Sequence, residues 1–220
     1  MGDSSLVGCV GGIDEAGRGA LLGPLVIAGV GADDDSIREL AAIGVKDSKQ
    51  LSPRRREILY DQIRRLAQKV EVLEVNPAEI DSRIKRGVNL NEIELQKMAS
   101  IAKALECGKV YVDAVDVNEY RWGARLSELV SNVHFISEHS ADERYVITGA
   151  ASVIAKVTRD RRIKELEKVY GPVGSGYPSD PKTRRFVRDF YIHNGALPSC
   201  VRTSWKTASQ ITGKLSLGSL

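Results

Sequence analysis

The stretch Gly11-Gly12-Ile13-Asp14-Glu15-Ala16-Gly17-Arg18-Gly19 is the most informative part of this 220-residue chain. It places two adjacent carboxylates at the end of an apolar run and follows them with Gly-Arg-Gly. Carboxylate oxygens are good ligands for hard divalent cations, and glycines allow a ligand to approach the backbone closely. We interpret the stretch as a site that holds a cation and a phosphodiester.

Strand and helix patterns extend outward from this stretch. Two β-rich runs, 6–13 and 21–30, predict strands joined around an Asp14-Glu15 corner. Further strands are predicted at 69–75, 109–113 and 133–136. Helices are predicted from Pro53 with Ser52 as its cap, from Asn76-Pro77, over 89–105, through Trp122 and Leu129, over about 145–170, and over 181–192. Strands that alternate with helices after an initial hairpin predict an α/β domain with a mixed five-stranded sheet.

Composition sets the broad class. Apolar residues make up 42% and charged residues 28% of the chain, as in ordinary globular proteins. The polar segment after Pro198 is short, so we predict a catalytic domain over 1–195 and a small C-terminal helical appendage over 196–220. A net charge of +3 permits a polyanionic partner without requiring one.

The chain carries no pattern typical of export or of a membrane protein. The apolar run 20–32 is interrupted by glycines and a proline, and the first residues lack a basic and apolar leader. The three cysteines, Cys9, Cys107 and Cys200, lie far apart, and we expect reduced thiols. We expect a cytoplasmic protein that does not contact a membrane.

Four acidic residues are placed where strands or helices begin or end: Asp14, Glu15, Asp113 and Asp142. Ligands gather at strand ends in open α/β sheets. Clustered carboxylates repel one another unless a cation is present, and an all-oxygen set favours Mg²⁺ or Mn²⁺ over zinc. Two such ions could stabilise the attacking water and the leaving oxygen of an in-line phosphoryl displacement.

Several motifs together resemble ribonuclease HII, in the archaeal or eukaryotic-like single-chain form. They run in order along the chain: Asp14-Glu15-Ala16-Gly17-Arg18-Gly19, Asp47-Ser48-Lys49, Asn89-Leu90-Asn91, Tyr111-Val112-Asp113, Ala150-Ala151-Ser152 with Ala155-Lys156-Val157, and Gly174-Ser175-Gly176-Tyr177-Pro178. The resemblance covers nearly the whole chain. It implies a ribonuclease H-like fold and metal-dependent endonucleolytic cleavage of RNA in RNA·DNA hybrids, in DNA replication and ribonucleotide excision repair. Single ribonucleotides in duplex DNA would also be cut on their 5′ side, leaving a 3′-hydroxyl and a 5′-phosphate.

The resemblance also assigns residues. It implies Asp14, Glu15, Asp113 and Asp142 as catalytic metal ligands, with two Mg²⁺ or Mn²⁺ ions in the reacting complex. Asp142 is matched mainly by its distance from the Ala150-Ala151-Ser152 motif, and Asp116 and Glu143 stay open as substitutes. The implied substrate-binding residues are Gly17, Arg18 and Gly19 at the ribose 2′-hydroxyl, Tyr177 at the neighbouring deoxyribose, and Lys49, Asn89, Lys206 and Thr207 at phosphates. Arg202 and Arg184-Arg185 are further candidates, expected to be exposed, for the DNA backbone.

Other interpretations stay open. Asp113 could cap a turn, Asp142 could be only a helix N-cap, and Tyr177 and Thr207 could serve packing and solvation alone. The chain could be a catalytically silent hybrid-binding module, or another phosphoryl-transfer enzyme such as a recombinase-type nuclease or a ribonuclease HIII. Gly-Arg-Gly and the lack of a further N-terminal domain argue against ribonuclease HIII. We expect a monomer, and a sliding-clamp contact cannot be demonstrated from the sequence.

Overall fold

The computed structural model describes residues 8–45 and 51–216, with side chains through residue 213. Its strands are β1 (Val10–Ala16), β2 (Leu25–Ala32), β3 (Lys69–Val75), β4 (Lys109–Asp113) and β5 (His134–Glu138). They form one sheet in the order β3-β2-β1-β4-β5. β1 pairs antiparallel with β2 and parallel with β4, and β4 pairs parallel with β5. The predicted mixed five-stranded sheet is confirmed.

Helices connect and flank the strands. They are α1 (Asp34–Ala42), α2 (Pro53–Leu66), α3 (Pro77–Lys85), α4 (Leu90–Leu105), α5 (Glu119–Leu129), α6 (Ala141–Arg144), α7 (Val146–Tyr170), α8 (Pro181–Asn194) and α9 (Lys206–Ser216). The predicted N-cap Ser52 is confirmed, because its side chain accepts from the Arg55 amide. The helix predicted from Asn76-Pro77 is also present, and the Asn76 side chain caps it by accepting from the Glu79 amide. Each cap precedes a proline, whose missing N–H costs nothing in the first turn.

The position of Asp14 and Glu15 differs from the prediction. Both lie inside β1 rather than at a corner after it, opposite Ala28 and Ile27 of β2. The pairing of β1 and β2 continues to Ala16 and Val26, so the chain turns only after the carboxylates. The predicted strand ended at its last apolar residue, Ile13, whereas backbone pairing with β2 continues through the polar Asp14 and Glu15.

Helix α1 follows β2, where the sequence analysis assigned no element. The Asp33 carboxylate accepts a hydrogen bond from the Ser36 amide at 2.8 Å and so satisfies an amide of the first turn. Leu40 on this helix is fully buried. The Asp33 cap and the burial of Leu40 therefore both stabilise this helix.

The expectation of three reduced thiols is wrong for two of them. The structure joins Cys9 and Cys107 in a disulfide with their Cα atoms 4.8 Å apart, and Cys200 is free and buried. Both paired sulfurs lie close to Gly31, where an added Cβ would be 3.0 Å from Cys107 Sγ and 3.1 Å from Cys9 Sγ. Spacing along the sequence does not report this proximity, because 98 positions separate the two cysteines.

The chain forms two compact units. The first comprises residues 1–16, 26–73 and 91–157, and the second comprises residues 17–25, 74–90 and 158–220. In the first unit, α7 and α2 pack on β2 through buried side chains that include Ile154, Ile63 and Val30. A separate cluster in the second unit includes Leu21, Val187 and Val201. The predicted division at residue 195 stays a prediction.

Among the described residues, no helix is long and apolar enough to span a membrane.

Candidate active site

Asp14 is a buried acid in the first unit, and its side chain is only 4% exposed. The pKa of this carboxyl is raised from 3.8 to about 7, mainly by burial and next by the charge of Asp113, with a smaller contribution from the charge of Asp142. A hydrogen bond from Ser152 and the charge of Lys156 act in the opposite direction. The fold therefore brings three of the four predicted acids close enough to affect one another's charge.

Asp113 and Asp142 reach this place from neighbouring elements. Asp113 is the last residue of β4, and its Oδ1 accepts a hydrogen bond from the Ala141 amide at 3.0 Å. Ala141 begins α6 and Asp142 follows it, with its side chain 2% exposed. This hydrogen bond ties the end of β4 to the short helix that carries Asp142.

Ser152 and Lys156 are two site residues to which the sequence analysis gave no role among the carboxylates. Lys156 Nζ donates to Ser152 Oγ at 2.8 Å and lies 3.9 Å from Asp142 Oδ2. The two residues are one helical turn apart on α7, so they share a face. The signal was available in the Ala150-Ala151-Ser152 and Ala155-Lys156-Val157 motifs, whose Ser and Lys have helical i, i+4 spacing.

Two glycines allow the elements of this site to approach closely. A Cβ added at Gly12 of β1 would lie 2.4 Å from the carbonyl carbon and oxygen of Ile147 on α7. A Cβ at Gly149 would lie 3.0 Å from the Asp142 carbonyl oxygen. Contacts below 3.0 Å with backbone atoms are not tolerated, so glycine at position 12 lets α7 bring Ser152 to Asp14.

Glu15 and the two substitute acids lie in different surroundings. The half-buried Glu15 follows Asp14 in β1, and its amide donates to Asp14 Oδ1 at 2.7 Å. The Asp116 carboxylate instead accepts from the Asn118 amide and from Arg121, which lower its pKa. Glu143 is exposed. Of Asp142, Asp116 and Glu143, Asp142 is the one whose charge raises the pKa of Asp14.

The donor chemistry fits a hard divalent cation. The site offers carboxylate oxygens, and a buried carboxyl beside two others ionises more readily once a cation is bound. Within residues 8–45 and 51–216, no three His, Cys, Asp or Glu side chains are already arranged as ligands of one ion.

The Gly17-Arg18-Gly19 turn belongs to the second unit. Gly17 is buried with a φ of +85°, Arg18 is half-buried and Gly19 is exposed. The Arg18 carbonyl accepts a hydrogen bond from Arg202 Nη1 at 2.9 Å. Nothing lies within 4 Å of a Cβ added at Gly19, so this end of the turn is open.

Tyr177 lies in the same unit, in a Gly-rich loop. Its ring is half-buried and is covered by the guanidinium of Arg159, whose Cζ is 4.5 Å from the ring centroid. The glycines before it, Gly174 and Gly176, have φ of +74° and +82°, so this loop depends on left-handed glycines. Its ring makes a specific contact beyond ordinary packing.

The predicted phosphate contacts are spread over several elements. Asn89 is exposed directly before α4, and Lys206 and Thr207 begin α9, the first exposed and the second half-buried. Lys49 lies outside the described residues. Arg202, expected to be exposed, is completely buried, because it donates to the carbonyls of Gly23 and Arg18. The Arg184-Arg185 pair is exposed as predicted.

The mixed sheet and the acids on its central strands define a ribonuclease H-like nuclease. The family model for ribonuclease HII matches residues 11–208, and the chain belongs to this family. A ribonuclease HII from Thermococcus sibiricus is 47% identical over 209 residues, which cover 94% of this chain and 92% of the relative. The protein is a metal-dependent endoribonuclease that acts on RNA·DNA hybrids.

Solved structures agree with this assignment. The ribonuclease H2 of Pyrococcus horikoshii is 42% identical, with a TM-score of 0.89 over 94% of this chain and 99% of that one. The ribonuclease HII in a complex with PCNA from Archaeoglobus fulgidus is 44% identical, with a TM-score of 0.85 over 92% and 96% of the two chains. The predicted ribonuclease H-like fold is confirmed.

Proposed function

We propose that the protein cuts duplex DNA on the 5′ side of single embedded ribonucleotides, in addition to the RNA strand of hybrids. The products carry a 3′-hydroxyl and a 5′-phosphate. The observation that carries the proposal is the buried Asp14, whose pKa is raised by burial and by Asp113 and Asp142, in a chain of the ribonuclease HII family. Carboxylates that repel one another are stabilised when a divalent cation binds between them, so such a cluster favours cation binding.

The proposed metal ligands are Asp14, Glu15, Asp113 and Asp142. Two Mg²⁺ or Mn²⁺ ions, when bound, would supply activation of the attacking water and stabilisation of the leaving oxygen. The chain contributes the orientation of these ligands: the Ala141 amide holds Asp113, and Ser152 holds Asp14. Lys156 adds a positive charge beside Asp142, which favours the ionised carboxylates before an ion arrives.

Recognition of RNA is proposed for the Gly17-Arg18-Gly19 turn. Its backbone groups and the Arg18 side chain would contact the 2′-hydroxyl, the group that distinguishes RNA from DNA. Because Arg202 already donates to the Arg18 carbonyl, the Gly19 amide at the open end of the turn is the group we assign to the ribose. Tyr177 would pack against the deoxyribose that follows the ribonucleotide.

We assign contacts with the phosphates of the nucleic acid to residues that offer a positive charge or a neutral hydrogen-bond donor. Lys49 and Lys206 would act as charges, and Asn89 and Thr207 would donate hydrogen bonds. The exposed Lys206 at the first turn of α9 supports a substrate-binding role for the C-terminal segment 196–220. Each neutralised phosphate adds to the salt dependence of binding.

A contact with a sliding clamp is proposed from the Archaeoglobus fulgidus neighbour alone. That protein was solved in a complex with PCNA, and it is 44% identical to this chain. We propose a monomer that binds a clamp of this kind. Gel filtration of the protein alone and mixed with a clamp would test both statements, because a monomer that never co-elutes with the clamp would contradict the second.

The central experiment uses a duplex with one ribonucleotide in a DNA strand, incubated with and without Mg²⁺ or Mn²⁺. The result expected is metal-dependent cutting on the 5′ side of the ribonucleotide, with an all-DNA duplex left intact. Cutting of both duplexes would contradict the assigned 2′-hydroxyl recognition. Cleavage of long hybrid without cleavage at the single ribonucleotide would contradict the proposal while leaving the family activity in place.

A further inference from the structure

Arg159 of α7 is a buried cation in the second unit, and its side chain points into the loops proposed to bind substrate. The residue is 3% exposed, and burial lowers the pKa of its guanidinium. Its Nη2 donates to the Ser175 carbonyl at 3.2 Å and lies 3.4 Å from the Leu22 carbonyl. Its face covers the ring of Tyr177, with 4.5 Å between Cζ and the ring centroid.

The same guanidinium fills the space beside two glycines. A Cβ added at Gly17 would lie 2.4 Å from Arg159 Nε, and one added at Gly176 would lie 2.8 Å from Nη2. Gly17 belongs to the Gly17-Arg18-Gly19 turn, and Gly176 precedes Tyr177. One side chain is therefore packed against both proposed recognition segments.

The chemistry of this position is unusual for a packing residue. A buried charge is costly unless it is paired, and apolar residues of similar volume often replace buried ion pairs without loss of stability. Arg159 Nη2 donates to carbonyl oxygens, and the Nε atom has no hydrogen-bond partner among the described residues. The guanidinium is planar and rigid. Its face can stack on an aromatic ring while the N–H groups at its edge donate hydrogen bonds.

We propose that Arg159 is a positioning residue that holds the Gly17-Arg18-Gly19 turn and the Tyr177 loop in one arrangement. It thereby sets the preference for a ribonucleotide followed by deoxyribonucleotides over continuous hybrid. The inference rests on the proposed function, in which the turn contacts the ribose and Tyr177 contacts the next sugar. A continuous hybrid depends less on this arrangement, because it offers many ribonucleotides and no required junction.

The test measures kcat/KM of the full chain on two substrates, a DNA duplex with one ribonucleotide and a uniform RNA·DNA hybrid. Arg159→Met keeps an unbranched side chain that reaches as far as the Nε position, and it removes the guanidinium with its charge and donors. We expect kcat/KM to fall about tenfold on the single ribonucleotide and less than about threefold on the hybrid. Arg162→Met is the matched control, since Arg162 lies on the same helix, pairs with Glu74 and Glu165, and should leave the ratio unchanged.

A double-mutant cycle with Tyr177→Ala separates positioning from general packing. If Arg159 acts through Tyr177, the double variant should have the same substrate ratio as Tyr177→Ala alone. Additive effects, or equal losses on both substrates, would overturn the positioning role. Thermal melting reports whether each variant folds, and Arg159→Lys replaces Arg159→Met if the latter does not, because lysine keeps the charge but not the planar fork.

The cycle also distinguishes this inference from the function on which it rests. If Tyr177→Ala leaves the ratio of kcat/KM on the two substrates unchanged, the proposed role of Tyr177 is wrong. The positioning role of Arg159 is then wrong as well, because it depends on Tyr177. If Tyr177→Ala changes the ratio and neither Arg159 variant does, only the positioning role is overturned.

Discussion

Lys156 Nζ donates to Ser152 Oγ at 2.8 Å, one turn away on α7, and Ser152 in turn hydrogen-bonds Asp14. This chain of contacts connects a half-buried ammonium to the buried carboxyl of the central strand. Both Ser152 and Lys156 lower the pKa of Asp14 against the larger effects of burial and Asp113. The helix therefore controls how readily the first acid of the site ionises.

Ser152→Ala should move the acidic limb of the pH–rate profile to higher pH. The substitution removes a hydrogen bond that lowers the pKa of Asp14, so a higher pH is needed to ionise the carboxyl. A lost hydrogen bond of this kind corresponds to about one pH unit or less. The measurement is kcat/KM against pH at one fixed metal concentration below saturation, with Ser127→Ala as an exposed control on α5. An unchanged limb would show that Asp14 does not control it.

Stability of the metal-free protein should fall between about pH 4 and about pH 7 through Asp14. The folded-state pKa of this group, about 7, lies above its ordinary value of 3.8, so the folded protein holds the proton more tightly. The contribution is complete below the unfolded pKa and is lost as pH rises through the folded one. Above about pH 7 the loss is complete and the contribution no longer changes with pH.

Thermal melts in chelator at about pH 5 and about pH 8 test this, with Asp14→Asn as the comparison. The variant should lose this part of the pH dependence and be the more stable of the two at the higher pH. Mn²⁺ should raise the melting temperature of the unmodified protein more than that of Asp14→Asn, because only the former has the full carboxylate set. A variant with the same pH dependence as the unmodified protein would contradict the assignment.

Asp142→Asn should lower kcat by at least about tenfold, whereas Asp116→Asn should keep kcat within about threefold. Asp142 interacts with Asp14 and lies 3.9 Å from Lys156, but the Asp116 carboxylate is engaged with Asn118 and Arg121. Asp116→Asn should instead lower the melting temperature, because it weakens the partly buried contacts of this carboxylate with Asn118 and Arg121. Steady-state rates and thermal melts of both variants show which residue is the fourth metal-binding acid. A large loss of kcat in Asp116→Asn with little loss in Asp142→Asn would make Asp116 that acid.

Gly12→Ala should destabilise the protein and reduce its activity. The added methyl would lie 2.4 Å from Ile147 backbone atoms, so α7 must move away from β1. Overpacking of this kind costs about 1 to 3 kcal/mol, which lowers the melting temperature by roughly 2 to 12 °C in a chain of this size. Gly108→Ala is the control, since nothing lies within 4 Å of its added Cβ. Equal melting temperatures for the two variants would contradict the close approach.

Local sequence patterns predicted most of the secondary structure. β3 and β4 have the predicted bounds, and Pro53 and Pro77 begin helices behind their caps, because strand and cap signals lie within a few residues of the element they define. The end of β1 and the whole of α1 were not predicted in this way. β1 continues through Asp14 and Glu15 because its backbone pairs with β2 as far as Ala16, which is a property of the packing.

The sequence by itself determined the family, the all-oxygen chemistry of the acids and the residue types near them. Motifs and the ligand atoms of side chains follow directly from the order of the residues. Only the tertiary structure decided that Asp142 rather than Asp116 interacts with Asp14, that Ser152 and Lys156 join the acids, and that Arg202 is buried. It also paired Cys9 with Cys107. These relationships join residues far apart in the chain, and the free energy that selects them comes from burial and charge in the folded state.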